Sequence, residues 1–182
     1  MALADQNDTE ATADGDLLMW ILIWGELVIF AALIGAFALQ ALKDPAGFEA
    51  GRALLASRMA GLNTVVLLLS GWFAALAVRA GNSRFFRRVH LIAAGGLGMV
   101  FAVLKIAEYR QEWPIASLPG AESFFQSYVI LTGYHLAHVV FLAGLLLLLA
   151  FRQSSGDIRR VATLWHVTDL VWLALFPLIY LS

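Results

Sequence analysis

An all-α, polytopic membrane protein, folded as a five-transmembrane-helix bundle, is the fold class this sequence predicts, and three observations predict it. Of the 182 residues, 61% are hydrophobic and 14% charged, against about 25% charged in a soluble domain. Five stretches are free or nearly free of charge, and each has the length, roughly 17–25 residues, that a helix needs to cross the hydrocarbon core. None of them carries the polar face that a helix on the surface of a soluble bundle presents.

The elements follow in order. Residues 1–16 are acidic, with Asp5, Asp8, Glu10, Asp14 and Asp16 and no Lys or Arg. A secretory signal begins with positive charge, so this segment is expected to be a short, retained, disordered tail. Residues 17–182 form the membrane domain. Span 1, residues 17–42, contains one acid, Glu26. Span 2, residues 62–78, contains no charge. Span 3, residues 91–107, has one base, Lys105, near its end. Span 4, residues 127–151, has no charge apart from its histidines, and span 5, residues 161–181, contains His166 and Asp169. Small residues at helix spacing, such as Ala31 and Gly35, Gly71 and Ala75, Gly95 and Gly98, predict close helix packing.

Five spans put the termini on opposite sides. One face then holds Arg79, Arg84, Arg87, Arg88, Arg152, Arg159 and Arg160, and the other Lys43, Arg52, Arg58, Arg110 and, marginally, Lys105. The excess predicts a cytoplasmic N-terminus and a C-terminus outside. The absence of cysteine excludes disulfides, thiolate metal sites and c-type haem attachment. A net charge of −1 gives no sign of nucleic-acid binding, and the chain has no internal repeat, phosphate loop or nucleotide motif.

Function must lie in the few polar groups within the spans, because an ionisable side chain there costs roughly 2.5–3.5 kcal/mol on insertion scales and calls for a partner. They are Glu26 in span 1, Glu108 at the outer end of span 3, His135 and His138 in span 4, and His166, Asp169 and Trp172 in span 5. His135 and His138, in TGYHLAHVV at 132–140, are three residues apart and share a helix face. Such a pair can hold a metal, hydrogen-bond between helices, bind a lipid headgroup or relay protons. The Glu-x-x-His motif of di-iron bundles is absent. Depth also separates the histidines: His135 lies in the outer half of its span and His166 near the cytoplasmic face, more than about 10 Å apart at 1.5 Å per residue. Glu26 is expected to be neutral or paired, with His166 or a lipid amine as partner and Asp169 within about a turn in depth.

At these residues the sequence resembles cytochrome c oxidase subunit III, the third subunit of the haem–copper oxidases. GELVIF at 25–30, LNTVVLLLSGW at 62–72, LGMVFAVLKIAEY at 97–109, TGYHLAHVVFLAG at 132–144 and LWHVTDLVWLALFPLIY at 164–180 are similar to that family's helices, in order and spacing. The common form has seven helices. Five-helix versions occur in quinol oxidases and in the protein associated with nitric oxide reductase, and the short chain with its compact 43–61 loop looks most like the latter.

The resemblance implies a non-catalytic subunit in a bacterial inner membrane, with no haem, copper or other metal of its own and with phospholipid as its ligand. Its partner would be the catalytic subunit of a haem–copper oxidase or nitric oxide reductase. Glu26, Glu108, His135, His138, His166, Asp169 and Trp172 would then bind lipid or form an interhelical polar network, supporting stability and proton uptake. The rival is a stand-alone membrane enzyme or transporter that uses the same His, Glu and Asp residues. A transporter usually shows repeats and broken helices, and an enzyme needs a convergent reactive cluster. The sequence displays neither.

Overall fold

A computed structural model describes residues 2–81, 83–114, 120–152 and 155–181, with side chains described from Leu17 onward except at Ser155. The described residues form six helices: α1 Ala2–Lys43, α2 Pro45–Ala53, α3 Ser57–Arg79, α4 Arg84–Glu112, α5 Glu122–Arg152 and α6 Ser155–Tyr180. Five of them, counting Leu17–Lys43 of α1 and Gly156–Tyr180 of α6, are long and apolar enough to cross a membrane.

One expectation is corrected. The 43–61 loop contains a sixth helix, α2, too short and too polar to register as a span. Its start was legible. Pro45 excludes the helical conformation for the residue before it, and Asp44 sits at φ −135° with its carboxylate accepting from the Gly47 N–H at 3.1 Å. This is an N-cap followed by a first-position proline.

Helices α3, α4, α5 and α6 form a four-membered ring: α3 packs on α4 and α6, and α5 packs on the same two. The ring closes tightly through Gly98 of α4, where a Cβ would lie 2.4 Å from the Trp165 ring and 3.0 Å from the Ala143 methyl. Leu67, Leu91, Phe101, Leu131, Leu146, Trp165 and Trp172 fill its interior and are fully buried. Helix α1 leans on the outside of this ring against α5 and α6. In its most apolar window 11% of the residues are buried, against 39–44% in the other four spans. Helix α2 rests on the start of α5, with Phe48 edge-on to both Phe37 of α1 and Phe124 of α5.

Candidate functional site

The polar residues within the bundle separate into three groups. The first occupies the interior between α4, α5 and α6, at the bundle end that carries α2. Lys105, Glu108 and Glu112 stand at i, i+3 and i+7 on α4, which puts them on one helix face. Lys105 and Glu108 have no exposed surface, and Glu112 is buried. The three Lys105 ammonium donors reach the Tyr128 hydroxyl at 2.8 Å, the Tyr180 hydroxyl at 2.7 Å and Glu108 Oε2 at 3.2 Å. Each tyrosine hydroxyl passes its own proton to a carboxylate: Tyr180 donates to Glu108 Oε1 at 2.6 Å, and Tyr128 to Glu112 Oε2 at 2.9 Å. The rings of Tyr109, Tyr128, Trp172 and Tyr180 surround the ammonium at 4.7–5.4 Å, within cation–π range.

Sequence reasoning found only Glu108 of this group. It counted Lys105 as a marginal base of the outer face, whereas the structure buries that side chain completely. Glu112, Tyr128 and Tyr180 were missed. The one available signal was the Lys-x-x-Glu-x-x-x-Glu spacing. Nothing in the sequence pairs it with tyrosines 16 or more residues away.

The second group joins α1 to α5. His138 Nε2 lies 2.9 Å from Glu26 Oε2, and the Tyr134 hydroxyl donates to the same oxygen at 3.2 Å. The His138 Nδ1 is 2.8 Å from the Tyr134 carbonyl, so the backbone orients the ring and points Nε2 at the carboxylate. Phe30 packs against the rings of Tyr134, His135 and His138. Glu26 and His138 keep 29% and 23% of their side-chain surface exposed. Both line a largely apolar cleft of about 120 Å³ between α1, α5 and α6, together with Ile23, Phe141 and Val171. The expected Glu26 partner, His166, is therefore corrected to His138. Both lie near the middle of their helices, and α1 packs against α5.

The third group is His166 and Asp169 on α6, with Nδ1 and Oδ2 3.7 Å apart. Asp169 is buried and His166 faces outward. Trp172 does not extend their stripe, because steps of three residues each fall about 60° short of a full turn. It points instead into the ring interior, where its indole N–H donates to Thr64 Oγ1 at 2.9 Å and its ring stacks on His135 at 5.0 Å. The same rotation separates His135 from His138. His135 is fully buried against Phe101 and Trp172, while His138 turns to Glu26. Among the described residues, no three His, Asp or Glu side chains are grouped as a metal ion would require.

The fold and these groups define a class: an integral membrane bundle whose intramembrane charges are mostly spent on neighbouring helices. Residues 7–182 match the family cytochrome c oxidase subunit III, and the chain belongs to it. A cytochrome c oxidase subunit 3 of Synechocystis sp. is 28% identical over 86% of this chain and 70% of its own length. A cytochrome c oxidase subunit 3 of Bacillus sp. (strain PS3) is 26% identical over 99% and 91%. A cytochrome bo(3) ubiquinol oxidase subunit 3 of Buchnera aphidicola is 23% identical over 90% and 92%.

Proposed function

We propose that this chain is the non-catalytic third subunit of a respiratory haem–copper oxidase, held in the membrane beside the catalytic subunit. The observation that carries the reading is the family match over residues 7–182, which takes in all five membrane-crossing helices. Haem and copper chemistry belongs to the partner. This chain supplies helix surface, buried ion pairs and a cleft.

Within this reading the cleft between α1, α5 and α6 takes a phospholipid acyl chain, supported by its apolar lining and its opening beside the weakly packed α1. The N-terminus lies on the cytoplasmic side. Removing the buried Lys105 from the outer count leaves four bases, Lys43, Arg52, Arg58 and Arg110, against seven on the inner face, which widens the bias.

Purification from native membranes through a tag on this chain, in mild detergent, tests the proposal. A haem-containing subunit should co-elute, with oxygen consumption in the eluted complex and phospholipid by mass spectrometry. Consumption of nitric oxide instead of oxygen would place the chain beside a nitric oxide reductase. A folded chain that elutes alone would overturn the proposal.

A further inference from the structure

Helices α3 and α6 enclose a shallow groove of about 280 Å³, with no other element among the described residues lining it; Leu68, Gly71, Trp72, His166, Asp169 and Leu170 form its wall. Its wall is apolar apart from His166 and Asp169. The groove is shaped for that pair: a Cβ on Gly71 would lie 2.3 Å from Asp169 Oδ2, so only glycine leaves room for the carboxylate. Asp169 is almost fully buried, and its Oδ1 has no hydrogen-bond partner. It faces Nδ1 of His166 at 3.7 Å, and the carboxylate favours the proton on that nitrogen, with Nε2 as the acceptor. His166 is 43% exposed, and among the described residues its polar contact is with Asp169.

An imidazole acceptor exposed to hydrocarbon loses its hydrogen bond to water and gains nothing in return. Beyond Arg160, the last charged residue at the start of α6, His166 lies six residues (about 9 Å) and Asp169 nine residues (about 14 Å) into the apolar part of the helix, so a lipid headgroup at the surface does not reach the pair to supply the missing donor. Helix α1 cannot supply it either, since its principal ring contacts are with α5 and α6. A donor at this depth comes from another membrane-spanning helix.

We propose that the α3/α6 groove is the docking face for the catalytic subunit, and that it receives a transmembrane helix whose hydroxyl or amide side chain donates to His166 Nε2. This rests on the assignment of the chain as an accessory oxidase subunit and adds the face and the chemistry of contact. Small residues beside the polar pair, Gly71 and Ala75, let a foreign helix approach closely.

The absence of cysteine from the chain allows a direct test. Leu170→Cys lies in the groove and Val103→Cys lies on the exposed side of α4. Each is labelled with benzophenone maleimide in membranes that hold the whole complex, irradiated, and analysed by mass spectrometry. The expected result is an adduct with the catalytic subunit from position 170, lost when the cysteine is moved to 103. In addition, His166→Leu should lower the fraction of chain retained with the haem-containing subunit through detergent washing by about threefold, the effect of one interhelical hydrogen bond. His166→Gln, which keeps an acceptor, should lower it less. Adducts at 170 with lipid alone, or with a second copy of this chain, while the wild type still co-purifies, would overturn the docking face and leave the accessory-subunit assignment standing. A wild-type chain that never co-purifies with a haem subunit removes both.

Discussion

Lys105 and Glu26 are both ionisable groups well inside membrane-crossing helices, yet the first has no exposed surface and the second leaves more than a quarter of its side chain uncovered. Lys105 is held from three helices, with every ammonium donor used and four aromatic rings around it. Glu26 is held from one neighbouring helix by His138 and Tyr134, at the edge of a cleft. The difference follows the architecture. Lys105 belongs to the closed ring, where water is excluded and the charge is compensated by carboxylates and hydroxyls of the bundle itself. Glu26 belongs to α1, which has few buried neighbours to supply. A contact that is enclosed serves stability. One that is half open can still exchange partners, as a lipid site requires.

The largest effect expected is from Lys105→Met, which removes the cation and strands two carboxyls and two hydroxyls in the interior. Unpairing a buried ion typically costs about 3–5 kcal/mol, so the variant should lose most of its folded yield in thermal unfolding in detergent. Replacing Glu108 and Glu112 by Gln in the same chain should restore much of it. If Lys105→Met alone unfolds like wild type, the ring does not depend on this cluster. Tyr180→Phe comes next. It removes one acceptor from Lys105 and one donor from Glu108 and should cost ~1–3 kcal/mol.

Two glycines compare the regions by packing. Gly98→Ala forces a methyl against Trp165 and should destabilise by about 1–3 kcal/mol. Gly35→Ala on α1 meets nothing within 4 Å and should be neutral or stabilising by up to about 1 kcal/mol through helix propensity. Equal melting temperatures for the two variants would contradict the contrast between ring and outlying helix. The smallest effect is at Glu26. A double-mutant cycle with Glu26→Ala and His138→Ala should give a coupling of roughly 0.6 kcal/mol, typical of interhelical hydrogen bonds in membranes. A coupling several times larger would make α1 as firmly held as the ring helices.

The sequence by itself determined the helical class, the five long apolar segments and the identity of several intramembrane polar residues. These are properties of composition and run length along one dimension, and the cost of an unsatisfied backbone in lipid leaves helices as the economical answer for such a chain. Only the tertiary structure decided which helices are neighbours, and therefore which polar group meets which. Glu26 was matched in depth with span 5 but meets His138 on α5. His135 and His138 share a face by count yet diverge by 60°, enough to send one into the core and the other to α1. Lys105 looked like a loop base until Tyr128 and Tyr180 were brought to it from two other helices. Partner choice depends on helix rotation and on the order of helices around the ring. Both are fixed by side-chain interlocking at points such as Gly98 against Trp165, which no single segment encodes.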